Sequence, residues 1–367
     1  MNDQKYILDR INSGQILKHS ERDMSVFFTS SLTDSHIQMN APRFGNNTIT
    51  IAFMIYYKQV NRYYRLIEDN EHFLASIANN IAKDMSVKED IFNGYNQAGD
   101  RLMYLYAEID SREDFDAKFV RDLSEAVHAI GPWQIAIMHR AESLDDAFKM
   151  TPEVPKEIYD TRKRNEMAFG LFQTKFEVMC SKILKKIDNM TLVDFKYLTA
   201  DDIVNVLETG KRPDKIIEER KSLVIMNLLP EFEIMTGDKA EQIFEAIRNN
   251  EEKYSPTKGV TEIKGSTVFG KEIVRGKAQV ITDYDTIELF EEDNILVTPS
   301  TLPKYNHIYK RAKAIITDEG GILAHASIVC REFKVPGIIG TKVATKVIKS
   351  GDIIELDTEK GTITIIK

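Results

Sequence analysis

Along this chain the spacing of apolar positions changes about two thirds of the way through. From about Thr48 to Asn250 apolar residues recur every three or four positions, the period of a helix with one buried face. Tyr56, Val60, Tyr63, Tyr64 and Ile67 keep that spacing and predict a helix, and further helical runs fall at 73–82, 98–109, 119–130, 132–148 and 157–187. Pro132 directly after Gly131 predicts that one helix ends and another starts there. Thr199 followed by Asp202 predicts a capped helix start, and Gly45-Asn46-Asn47 predicts a loop.

The stretch NNEEKYSPTKGVTEIKG is polar, with Pro256 and Gly259 interrupting regular structure, and reads as a hydrated connection. Beyond it the segments EIVRGKAQVI, NILVT, AIITD, GIIG, DIIEL and TITIIK are short and β-branched, bounded by Gly, Asp or Pro. Helical stretches near 303–311, 325–333 and 342–348 separate several of these strands. The expectation is therefore a multidomain chain of α and α/β class. It has a mainly helical domain over 1–248, a linker over 249–262 and a small α/β domain over 263–367.

Composition narrows the classes of function. Residues 259–367 hold 15 Lys and Arg against 15 Asp and Glu, so the acidic excess, 42 against 34, lies entirely before them. Such a charge pattern argues against nucleic acid and against an anionic membrane surface, both of which call for clustered positive charge. The apolar run from Ile49 stops at Lys58, short of a bilayer span, and MNDQKYILDR lacks the apolar core of a secretion signal. Cys180 and Cys330 are too few for a disulfide framework or a thiolate zinc site, and no cluster of carboxylates and histidines has metal-ligand spacing. A cytoplasmic protein is expected.

The candidate chemistry lies in Asp318-Glu-Gly-Gly-Ile-Leu-Ala-His325-Ala-Ser-Ile-Val-Cys-Arg-Glu332. A strand leads in and a helix leads out, with His325 at or near the helix start. Gly320 and Gly321 let the backbone turn sharply and admit a close ligand. The helix N-terminus offers amide groups and a partial positive charge suited to phosphate. Neutral imidazole is a nucleophile near pH 7, and covalent capture divides a phosphoryl transfer into two easier steps. Spacing alone favours a second reading, a helix cap whose histidine bonds a carbonyl.

The segment TDEGGILAHASIVCREFKVPGIIGT resembles the swivelling phosphohistidine domain of phosphoenolpyruvate-utilising enzymes. These include phosphoenolpyruvate synthase, pyruvate phosphate dikinase, enzyme I of the sugar phosphotransferase system and rifampin phosphotransferase. Gly320-Gly321, His325, Ile328-Val329, Arg331-Glu332, Val335-Pro336-Gly337 and Gly340-Thr341 fall in order. Upstream, Thr298, Thr301 and Pro303 are in register, and Gly270 and Gly276 punctuate what resembles the first hairpin. The likeness covers essentially all of 263–367 and implies a β/β/α fold with His325 as the phosphoryl carrier. It also makes Gly320, Gly321, Ser327, Thr301 and Arg331 candidate phosphate supports. The sequence departs where several members have hydroxyl residues before the histidine: here stand Leu323 and Ala324. Cys330 reads as buried packing, and His307 as structural or exposed.

A weaker likeness joins 195–226 to a connecting element of phosphoenolpyruvate-synthase-like and rifampin-phosphotransferase-like proteins, through Tyr197-Leu198-Thr199, Asp202-Ile203 and Glu219-Arg220. Tyr63, Tyr64, His72, Trp133 and His139 are candidates for a pocket or, more simply, for core. No Walker loop or ATP-grasp pattern is found, and no further domain is expected after the α/β domain. The resemblance then implies a phosphotransferase subunit that binds no cofactor itself. A separate ATP-grasp nucleotide-binding protein, holding ATP and Mg, phosphorylates His325, and the group passes to an acceptor, a small molecule by preference, near the helical domain. The alternative is a phosphohistidine relay serving a protein partner, with no small-molecule site of its own.

Overall fold

In the computed structural model the chain divides into two compact units, residues 1–251 and 252–367. The described residues are 4–22, 25–31, 52–57, 60–84, 86–144, 160–161, 164–165, 167–168, 170–227, 233–254, 259–282, 284–302, 305–321 and 324–366. The loop expected at Gly45-Asn46-Asn47 lies outside them, as do Pro256, Pro303 and Leu323.

Long helices dominate the N-terminal unit, among them Ser86–Ser111, Ala117–Leu144 and Phe172–Leu184. They accompany an antiparallel sheet that the periodicity did not predict. Its strands are β1 (Ile16–Arg22), β2 (Ala52–Tyr57), β3 (Val60–Leu66), β4 (Leu223–Asn227) and β5 (Glu233–Met235), in the order β1-β3-β2-β4-β5. The helix expected over Tyr56–Ile67 is therefore corrected to a pair of strands, with Tyr57 opposite Val60 and Phe53 opposite Tyr64. The reason is burial on both sides. Phe53, Ile55, Tyr64 and Leu66 join one core with Ile7, Ile11, Ile243 and Ile247, while Met54, Tyr56, Tyr63 and Arg65 are buried on the opposite face. Strands covered on both faces lose the apolar–polar alternation that identifies them in sequence.

The break expected at Gly131-Pro132 is also corrected, because the helix Ala117–Leu144 passes through it. Proline there forgoes the hydrogen bond its amide would have made to the carbonyl four residues back, a loss that one long helix absorbs. At Thr199 the predicted cap is present. The Thr199 hydroxyl accepts from the Asp202 amide at 3.2 Å, and the Asp202 carboxylate accepts from the Thr199 amide at 2.9 Å. Arg220 donates to the same carboxylate at 2.7 Å and to the Tyr197 carbonyl at 2.9 Å, so residues from three parts of the 195–226 segment meet. The helix Gly237–Tyr254 continues through 249–254, the first part of the expected linker. Asn250 holds it there: buried, it donates to the carbonyls of Ile11 and Gly14, each at 2.7 Å, and accepts from the Ile16 amide at 2.8 Å.

The C-terminal unit is built on eight strands: β6 (Glu262–Lys264), β7 (Ser266–Phe269), β8 (Ile273–Val280), β9 (Ile295–Thr298), β10 (Ala314–Thr317), β11 (Gly337–Ile339), β12 (Ile353–Asp357) and β13 (Thr362–Ile366). They form one sheet in the order β6-β13-β12-β8-β9-β10-β11-β7. The central run from β8 to β11 is parallel, and the flanking pairs are antiparallel. Along β9, Ile295 and Val297 enter one core and Leu296 the other, and β10 splits Ala314 and Ile316 from Ile315 in the same way. The resemblance to a first hairpin is corrected here, since β7 pairs with β11 and β8 with β12 and β9. Thr358 sets this register: its hydroxyl donates to the Glu272 carbonyl at 2.8 Å and accepts from the Glu272 amide at 2.9 Å, fixing the start of β8 beside β12. Among the described residues no helix is long and apolar enough to cross a membrane.

Candidate functional site

The site lies at the carboxyl ends of the parallel strands, where open α/β sheets gather their binding loops. Thr298 and Thr317 occupy matching last positions of β9 and β10, both fully buried. Each donates its hydroxyl to the carbonyl two residues on, Thr298 to Ser300 at 3.2 Å and Thr317 to Glu319 at 2.5 Å. Two similarly shaped turns leave the sheet side by side and are joined by the Glu319 amide donating to the Pro299 carbonyl at 2.9 Å. The first turn carries Thr301 and the second carries Gly320, Gly321 and His325.

His325 is the first residue of the helix His325–Phe333, half-buried, and Ala324 supplies the extended N-cap with no side-chain hydrogen bond. The Thr301 hydroxyl meets His325 Nδ1 at 2.7 Å. Thr301 itself is buried. The fully buried ring of Tyr309 stands edge-on to the imidazole, with centroids 6.3 Å apart. Imidazole is therefore held by its Nδ1 side. A threonine hydroxyl can accept from a protonated Nδ1 or donate to a bare one; in the Nδ1-protonated tautomer Nε2 carries the lone pair and is the nucleophilic nitrogen.

The glycine turn is tightly specified. Gly320 has φ of +128°, and a side chain there would press on Ile339 and Ala324. Gly340, at φ +70°, approaches so closely that an added Cβ would lie 2.6 Å from the Gly320 carbonyl oxygen. The Gly321 carbonyl accepts from the Ala324 amide and from the Ser327 hydroxyl, each at 2.9 Å. Ser327 is fully buried, so its contribution is to fix the turn from below. Arg331 is brought into no described contact with His325; six residues on, it lies about 9 Å along the helix and about 120° round it. His307 is exposed and pairs with Glu288 at 3.0 Å, outside the site.

Asp318, Thr341 and Thr345, given no role from sequence, form the brace beneath the turn. The buried Asp318 carboxylate accepts from the Thr341 hydroxyl and the Thr345 amide, both at 3.1 Å, and from the Thr345 hydroxyl. Thr341 also donates its amide and hydroxyl to the Thr317 carbonyl, each at 3.0 Å. Gly340-Thr341 was visible as a motif, but nothing in the sequence linked it to Asp318. Among the described residues no group of histidine, cysteine and carboxylate side chains could hold a metal ion.

Among the described residues, the candidates Tyr63, Tyr64 and His72 do not share one site. Tyr63 and Tyr64 are buried on opposite faces of β3, His72 is exposed, and the side chains of Trp133 and His139 lie outside the described residues. Burial raises the Tyr63 hydroxyl above its ordinary pKa, while neighbouring Arg65 works in the opposite direction.

His325 thus stands at a helix start, bonded through Nδ1 to Thr301 and next to a glycine turn at the ends of parallel strands. Residues 290–361 match the family described as PEP-utilising enzyme, mobile domain. Thr301, Gly320, Gly321, His325, Ser327 and Arg331 all lie within the match. The chain is similar to a probable phosphoenolpyruvate synthase of Archaeoglobus fulgidus, 50% identical over 91 residues, 25% of this chain and 12% of that protein. It is similar to a phosphoenolpyruvate synthase of Aquifex aeolicus, 41% identical over 99 residues, 27% of this chain and 11% of the relative. A rifampicin phosphotransferase of Bacillus cereus is 25% identical over 260 residues, 68% of this chain and 28% of its own length. The chain thus spans well under half of each of these relatives.

Proposed function

We propose that this protein is a phosphotransferase subunit in which His325 is transiently phosphorylated on Nε2 and passes the group to an acceptor associated with the N-terminal unit. The single observation that carries the reading is the 2.7 Å contact of Thr301 with Nδ1, made by a half-buried ring at the start of a helix. In the first step the Nε2 lone pair attacks phosphorus, a P–N bond forms, and the donor's P–O bond breaks with its electrons leaving on the donor oxygen. Nδ1 keeps its proton throughout, held against Thr301, and helps disperse the positive charge that develops on the ring. In the second step an acceptor oxygen, its proton lost to solvent, attacks the same phosphorus, and the P–N bond breaks with its electrons returning to Nε2, so the imidazole leaves as the neutral base. The first helical turn and the glycine loop provide the electropositive environment that phosphoryl transfer requires.

The donor is proposed to be ATP, with Mg, on a separate ATP-grasp protein, and the acceptor to be a small molecule. The test mixes the full chain with a candidate ATP-grasp partner and ATP labelled in its phosphoryl groups, with labelled phosphoenolpyruvate run in parallel. Acid-labile, base-stable label on the wild type that vanishes in His325→Ala is the expected result. Label that survives in His325→Ala overturns the assignment, and label from phosphoenolpyruvate alone overturns the choice of donor.

A further inference from the structure

Thr301 reaches the imidazole from a loop, and a loop side chain keeps a 2.7 Å contact only if its backbone is held. Among the described residues, an anchor adjoins Thr301. The amide of Leu302, the next residue, donates to the Tyr309 hydroxyl oxygen at 2.8 Å. Tyr309 is fully buried, in the core cluster that also holds Ile308, Ile315 and Val329, and its own position is therefore set by close packing. The same ring forms the edge-on wall beside His325. One side chain thus steadies both members of the Thr301–His325 pair: the ring bounds the imidazole, and the hydroxyl holds the backbone that aims the threonine.

We infer that Tyr309 is a positioning residue, which fixes the Nδ1-protonated form of His325 by clamping the Thr301 loop through the Leu302 amide; the inference rests on the proposed phosphoryl-transfer reading. The two jobs are chemically separable. A phenylalanine keeps the wall and deletes the clamp, and the partly buried Leu302 amide then lacks this acceptor, so the loop shifts to find another. Thr301 moves with it, and the imidazole proton is no longer held on one nitrogen. His307, on the same helical turn Asn306–Tyr309, points to Glu288 and provides a control for disturbance of that turn.

The experiment uses the full chain with 15N-labelled histidine and reads the His325 tautomer by NMR, alongside the rate of phosphohistidine formation. Wild type is expected to be Nδ1-protonated. Tyr309→Phe is expected to give a mixture of tautomers and a rate about ten- to a hundredfold lower, while His307→Ala matches wild type in both. Thr301→Val should slow the reaction similarly, and the Thr301→Val/Tyr309→Phe double variant should be no slower than Thr301→Val alone, because the two act through one contact. An unchanged tautomer in Tyr309→Phe, or rate effects that multiply in the double variant, overturns the inference. Hydrogen exchange of the wild-type Leu302 amide provides a reading independent of how the variants fold: protection supports the clamp, and exchange at the rate of an open loop overturns it. If wild type takes up no label, the phosphoryl-transfer reading fails by itself, while the tautomer and exchange readings still judge the clamp.

Discussion

At His325 the proposed chemistry depends on which ring nitrogen holds the proton, and the Thr301 hydroxyl is the group that meets Nδ1. Thr301→Val preserves shape and removes the oxygen that meets Nδ1. Phosphohistidine formation should slow by about ten- to a hundredfold with the melting temperature nearly unchanged, as followed by label incorporation and calorimetry. Cys330 shows the opposite kind of site. Burial pushes its thiol up to about 12, against a weak downward pull from Arg331, and its sulfur packs where Gly337 leaves room. At pH 8 only about one in ten thousand such thiols is ionised. Iodoacetamide should therefore leave Cys330 unmodified in the native protein and alkylate it readily in urea, with native labelling rising as pH increases; mass spectrometry of the peptide checks this.

Among the elements, those from β8 to β13 were legible because each short β-branched run coincides with a strand and the predicted 325–333 helix has the observed bounds, whereas β6 and β7 match none of those runs and β6 begins inside the expected linker. The candidate site was legible for the same reason: Gly320, Gly321, His325 and Thr301 lie in two adjoining loops at strand ends. What sequence did not reveal is the support. The Asp318–Thr341–Thr345 brace joins Asp318 to residues more than twenty positions on, and Tyr309 meets the amide of Leu302 through its side chain. In the N-terminal unit, β2 and β3 were misread because Tyr56, Tyr63 and Tyr64 imitate helical spacing when both sheet faces are covered. Gly340 tests the brace directly. An alanine there must adopt φ near +70° with its Cβ against the Gly320 carbonyl, so Gly340→Ala should destabilise by about 2 kcal/mol. Urea denaturation measures that loss, and label incorporation should fall with it because the displaced carbonyl belongs to the glycine turn.

For the whole molecule, the two units have separate cores, and the C-terminal sheet completes its own hydrogen bonding from β6 to β7. A fragment of residues 252–367 should fold alone, giving a dispersed amide spectrum and one cooperative melt. A molten spectrum would show that its stability depends on the other unit. Asn250 ties the helix Gly237–Tyr254 into the N-terminal unit through Ile11, Gly14 and Ile16. Asn250→Leu should therefore lower the melting temperature of the full chain while leaving that of the fragment as a fixed reference.

The threonine contact on Nδ1 also has an analytical consequence. Phosphate on the outer nitrogen yields the tele isomer of phosphohistidine, and blocking the inner nitrogen denies the pros isomer. Antibodies that separate the two isomers should then stain this protein with the tele reagent alone, and loosening the loop should bring up the pros signal on the same blot.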